Sequence, residues 1–80
     1  MRIETVNGRN LVCGHIYPKN ELKVGQHWAQ ADGADRIVEI RELITYSDGD
    51  IGVIYGEHGN DRSYEKESFS FQCRYCLIVE

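Results

Sequence analysis

The stretch Arg36–Tyr46, RIVEIRELITY, decides the fold. Wound as a helix, it gathers Ile37, Ile40 and Ile44 on one side. Drawn out as a strand, it puts Val38 and Ile40 on one face, and Leu43 or Ile44 resumes that face after a twist or bulge. Residue type separates the two readings. Val and Ile lose side-chain freedom in a helix and pack well on a pleated surface. The flanks agree, because Asp-Gly pairs at Asp32-Gly33 and Asp48-Gly49 mark tight turns on both sides. The stretch therefore reads as a strand.

The same period of two recurs along the chain. IGVIY places Ile51, Val53 and Tyr55 on one side, and GEHGNDR forms the next turn. Near the start, Asn7-Gly8 lies between alternating arms, a hairpin signal that pairs Ile3 and Thr5 with Leu11 or Cys13 on one face. Pro18 breaks the run, and PKNE is a loop. KVGQHWAQ restarts it with Val24 and Trp28 as core anchors, and ADGAD is a turn. SYEKESF leads to Phe69 with room for one helical turn. FQCRYCLIVE then alternates Phe71, Cys73, Tyr75, Leu77 and Val79 on a last strand. No repeat or linker divides the 80 residues, which are read as a single domain, 1–80. Several short strands in so short a chain curl into a small barrel or a strongly bent antiparallel sheet.

A core of this size supplies no more than about 3–5 kcal/mol net, so a staple is expected. Cys73 and Cys76 form a C-x-x-C, and Cys13 and His15 stand two apart. These four are the candidate zinc ligands. Within an alternating strand, however, Cys73 and Cys76 face opposite sides and cannot share one metal. The competing reading makes Cys73 a small buried hydrophobe and Cys76 a strand residue near the surface. A disulfide would leave one cysteine unpaired. No cofactor is expected. The polar start, MRIETVNGRN, is unlike a signal peptide, and no apolar run is long enough to span a bilayer. The expectation is a soluble, reduced, cytoplasmic protein with no membrane contact.

Charge is uneven. Residues 29–67 hold ten acids against four bases, whereas residues 1–28 hold four bases (Arg2, Arg9, Lys19, Lys23) against two acids. An acidic middle repels phosphate and attracts basic surfaces. Catalysis is not expected. His15, His27 and His58 have no Ser, Cys or Asp partner at motif spacing, and Cys13 beside His15 on a strand lacks a cleft with an oxyanion hole. GDIGVIYG has glycines but no following helix to cradle phosphate. Tyrosines beside carboxylates suit protein recognition instead, an aromatic anchor with charges that select an Arg- and Lys-rich partner. The candidate partner-binding residues are Asp48, Asp50, Tyr55, Glu57, Asp61, Tyr64, Glu65 and Glu67.

From residue 23 onward the order of features is Lys23-x-Gly25-x-x-Trp28, an Asp-Gly turn, Arg36-x-Val38-x-Ile40, a hairpin, Phe69, and Tyr75-x-Leu77-x-Val79-Glu80. This order resembles small phage and prophage proteins with SH3-like β-barrels. The resemblance covers residues 23–80 and leaves residues 1–20 as an added N-terminal hairpin. MRIETVNG is similar to a strand-and-turn stretch found among anti-CRISPR proteins. These resemblances imply a non-enzymatic inhibitor in the host cytoplasm that blocks the nucleic-acid-binding surface of a host defence nucleoprotein, a CRISPR effector being the most specific target. The alternatives are a nucleic-acid-binding module that uses the basic N-terminal hairpin, or a small zinc-stapled interaction domain. A homodimer through an edge strand is a further expectation.

Overall fold

In the computed structural model the chain is mainly β. Residues 2–6, 8–14, 16–30 and 36–79 are described, and the side chains of 2–6, Arg9 and Lys19 are left aside. The strands are β1 (Arg2–Val6), β2 (Arg9–Cys13), β3 (His27–Gln30), β4 (Ile37–Thr45), β5 (Ile51–Glu57), β6 (Tyr64–Glu67) and β7 (Tyr75–Val79). A helix, α1 (Ser68–Arg74), joins β6 to β7, and Lys19–Glu21 make a short 3-10 turn. All strands lie in one antiparallel sheet of order β1-β2-β7-β3-β4-β5-β6. The sheet is bent but does not close, so β1 and β6 are its edges.

The deciding stretch is the strand β4, and its register against β5 shifts between Ile40 and Glu42. This bulge adds one residue to β4, so Leu43 returns to the side of Val38 and Ile40 and packs there. Next to it, residues 46–50 form the tight turn that Asp48-Gly49 announces. The Tyr46 N–H donates to the Asp50 carbonyl, and Gly49 takes a φ of 90° that a side chain would disfavour.

Two clusters occupy the two faces of the sheet. The larger holds Leu22, Trp28, Val38, Ile40, Val53, Tyr55, Phe71 and Tyr75, roofed by α1. Its aromatic rings meet in sequence: Trp28 against Phe71 at 5.2 Å, Phe71 against Tyr55 and Tyr75 at 4.9 Å each. The smaller holds Leu11, Cys13, Ala29 and Cys76, with Ile37 and Ile78 against it. Helix α1 also anchors the segment that leaves β2. The Gln72 amide is buried and makes two bonds to the Tyr17 backbone, accepting from N–H at 2.6 Å and donating to the carbonyl at 3.2 Å. A buried amide side chain is thereby satisfied.

Four sequence expectations change. First, FQCRYCLIVE is not one strand. Residues through Arg74 are helical, because the Glu67 side chain caps α1 and the apolar ring of Phe71 lies one turn before Tyr75 on the buried side. Second, the cysteine assignments reverse. Cys73 is exposed on α1, whereas Cys76 is 3% exposed and bonded to Cys13 as a disulfide. Leu11 faces Ile78 and Val12 faces Leu77, so the next position of that register sets the two cysteines opposite each other, with Cα atoms 4.8 Å apart. A zinc site built from Cys13, Cys73 and Cys76 is therefore not formed; His15 lies outside the described residues. The expectation of reduced thiols gives way to a disulfide staple. Third, Val24 is not a core anchor but an exposed residue of the turn before β3. Fourth, the first hairpin is slipped by one residue from the expected pairing, with Ile3 opposite Val12 and Thr5 opposite Asn10. The ADGAD turn falls outside the described residues.

Candidate functional site

Strand β5 separates two polar regions, one at each of its ends. At its start, the 46–50 turn meets edge strand β6. The Tyr46 hydroxyl donates to Glu65 Oε2 at 2.7 Å. That bond, with some burial and the nearby charges of Glu65, Glu67 and Asp48, pushes the Tyr46 pKa up. One carboxylate thus binds the phenol, and the charges of two more act on it. Asp48 Oδ1 accepts from the Asp50 N–H at 3.0 Å, a local bond that fixes the turn. Phe69, two residues beyond Glu67, leaves its ring 56% exposed beside this cluster's helix cap.

Glu67 also has a structural duty. Its carboxylate accepts from the N–H groups of Phe69 (3.0 Å) and Ser70 (3.1 Å) and from the Ser68 hydroxyl. The Phe69 N–H leads in holding the Glu67 carboxyl below the usual carboxylate range, with partial burial opposing it. A carboxylate whose pKa falls on folding adds stability above its unfolded pKa and loses it as pH drops through the folded one. Glu67→Ala is expected to cost about 1 kcal/mol at neutral pH, the worth of a helix cap. In thermal melts the gap between Glu67→Gln and the parent should close as the pH is lowered through the carboxylate range. A gap that does not change with pH would show that the charge plays no part.

At the far end of β5 the polar groups are held differently. Glu57 Oε1 pairs with Arg36 Nε at 2.5 Å, and the Arg36 guanidinium lies 5.9 Å from the Tyr64 ring centre. Beyond Glu57, residues 58–63 fold back over the sheet, and Arg41 clamps them. Its Nη1 donates to the Arg62 carbonyl at 3.0 Å and Ser63 Oγ at 2.8 Å; its Nη2 donates to the carbonyls of Glu57 at 2.9 Å and of Asn60. This is possible because residue 56 is glycine: a Cβ there would collide with the Arg62 carbonyl oxygen and the Arg41 guanidinium. The clamp brings His58 beside His27 and Glu39. His27 and Glu39 face each other across β3 and β4, with Nε2 and Oε2 3.7 Å apart. The two imidazole centres are 6.4 Å apart, and one ligand-type atom from each of the three residues lies within 4.8 Å of the others.

The eight expected partner-binding residues therefore do not form one face. Glu65 binds Tyr46, with Glu67 on the same edge strand and Asp48 and Asp50 on the adjoining turn. Glu57 sits at the other end of β5 with its charge offset by Arg36. Asp61 stands apart on the exposed 58–63 loop. Tyr64 keeps partial exposure on the edge strand. Tyr55 is 5% exposed and belongs to the core, where burial first and then neighbouring Tyr75 push its hydroxyl pKa up to about 12. Tyr46 is one of the tyrosines beside carboxylates that the sequence pointed to; the residue that sequence reasoning missed at the acidic end is Phe69.

No protein-family model, no curated protein and no solved structure matches this chain. Among the described residues, no helix is long and apolar enough to cross a membrane.

Proposed function

We propose that this protein is a non-enzymatic binding module of the inhibitory kind. Its acidic end, Asp48, Glu65 and Glu67 around Tyr46, docks on a basic, nucleic-acid-binding surface of a host defence nucleoprotein, a CRISPR effector being the first candidate. One observation carries this reading: at an exposed edge of the sheet the Tyr46 hydroxyl binds Glu65, with the charges of Glu67 and Asp48 near enough to act on it. Such a cluster competes with phosphate for Lys and Arg side chains and steers encounter with a basic partner. The exposed Phe69 ring supplies the apolar anchor that charge alone lacks, since binding energy concentrates in a few desolvated aromatic contacts.

The test is plaquing of a phage on cells whose CRISPR system is programmed against it, with this protein expressed. The parent chain is expected to restore plaquing. Asp48→Lys with Glu65→Lys is expected to abolish the rescue, lowering association about tenfold or more at low salt. Phe69→Ala should weaken the complex by at least about 2 kcal/mol, roughly thirtyfold, because its ring is free to be buried by a partner. Glu67 is left intact so that α1 keeps its cap. No rescue by the parent chain across the systems tested would reject the CRISPR target. Rescue that survives both sets of changes would reject the acidic end as the docking surface.

A further inference from the structure

We propose that His27, Glu39 and His58 form a binding site for a divalent transition-metal ion of the zinc class. The proposal is independent of the inhibitory reading, since these residues lie at the opposite end of β5 from the acidic cluster. Two imidazole nitrogens and one carboxylate oxygen are the donor set that zinc and its neighbours prefer, whereas magnesium and calcium select oxygen ligands. The geometry is close to that needed. In a tetrahedral zinc site with bonds of about 2.0–2.1 Å, ligand atoms stand about 3.4 Å apart. Here His27 Nε2 and Glu39 Oε2 are already at 3.7 Å, and all three donor atoms lie within 4.8 Å of one another. Small side-chain rotations at the surface close the remainder.

The backbone explains why the three meet. His27 and Glu39 are direct cross-strand partners, so two ligands are set by the β3–β4 register. The third depends on the folded-back loop. Glu39 faces Gly56 on β5, and the absence of a side chain at Gly56 lets Arg41 pin the carbonyls of Glu57, Asn60 and Arg62. Arg41 is thus a positioning residue that brings His58 to a half-site already built on the sheet. With three protein ligands, the fourth position stays open to water or to a donor from another molecule, the pattern of exchangeable rather than closed zinc sites.

The experiment uses the full chain carrying Cys73→Ser, disulfide intact, so that the free thiol cannot bind metal. Zinc chloride is titrated calorimetrically after removal of metal with EDTA, and thermal melts are recorded with EDTA and with zinc. One zinc per chain is expected, with a rise in Tm that EDTA reverses. His27→Ala, Glu39→Gln and His58→Ala should each lower zinc affinity by more than about 100-fold, beyond the range of about 10–100-fold typical of outer-shell losses. Arg41→Met should fall within that outer-shell range. All four should melt near the Cys73→Ser parent in EDTA except Arg41→Met, which loses its clamp. Absence of zinc binding in the Cys73→Ser chain, or binding that survives loss of either histidine, overturns the proposal. A failed plaquing test leaves it standing.

Discussion

Breaking the Cys13–Cys76 disulfide is expected to remove about 4 kcal/mol of stability, the chain-entropy value for a loop closed across 63 residues. At about 4–8 °C per kcal/mol for a domain of this size, the midpoint should fall by roughly 15–30 °C. That loss rivals the about 3–5 kcal/mol that such a small core supplies on its own. The bond lies among Leu11, Ala29, Ile37 and Ile78, and in the chain-entropy account its worth does not come from these contacts. The loss therefore lies mainly in the unfolded chain, which regains the freedom of most of its length. Thermal melts of the oxidised parent, the reduced parent and Cys13→Ala/Cys76→Ala will check this. The last two should melt together, well below the first. Equal midpoints for all three would show that the sheet holds its ends without the staple. Because both cysteines are buried, an external thiol reaches them only when the fold opens, so reduction should quicken in any variant or condition that opens the fold and reach a ceiling set by opening at high thiol. Carrying Cys73→Ser in every sample prevents the exposed thiol from reshuffling the bond during the melt. The result bears on the proposed docking too: in a reducing cytoplasm the chain has to act without this bond, so the reduced parent must still be folded at growth temperature.

The parts of this structure that a local pattern encodes were legible in the sequence, and the parts that need distant strands to meet were not. Val38 and Ile40 alternate within one strand, and a bulge brings Leu43 back to their side, so period and residue type together revealed β4 and its irregularity. The Asp48-Gly49 turn followed from its residues alone. By contrast, residues 71–74 misled because Phe71, Cys73 and Tyr75 alternate as a strand would, although one helical turn was allowed for just before them. The helical signal is the buried row Ser68, Phe71 and Gln72, and it hides behind two polar residues whose burial depends on the Tyr17 backbone and the Glu67 cap. Cys13 and Cys76 could be suspected of meeting through neighbouring first and last strands. Their bond, however, required the β2–β7 register, which no stretch of sequence prints. The acidic residues were correctly found as a surplus, but the hairpin registers divided them, and Arg36 offset Glu57. The His27, Glu39 and His58 trio was invisible for the same reason: it is assembled by three strands and a loop clamp, not by spacing.

Trp28→Ala is expected to leave the domain largely unfolded, and Trp28→Phe to fold close to the parent. Trp28 is 1% exposed and touches both Tyr17 (6.1 Å between ring centres) and Phe71, so its ring joins the segment after β2 to the roof formed by α1. Truncation to alanine costs about 3–5 kcal/mol in transfer and cavity terms, a loss comparable to the whole net stability of a small domain. The phenylalanine variant is different because the indole N–H is buried with no acceptor among the described residues. An unpaired buried donor costs about 1–3 kcal/mol. Removing it offsets most of what the smaller ring gives up in contact, so Trp28→Phe should lie within about 1 kcal/mol of the parent. The edge-on contacts with Tyr17 and Phe71 do not need the nitrogen, since they arise from ring faces and edges. Urea denaturation followed by circular dichroism measures both variants, because the chain has a single tryptophan and its fluorescence disappears with it. If the phenylalanine variant loses as much as the alanine one, the indole N–H is paired in solution and the core depends on that bond rather than on ring packing.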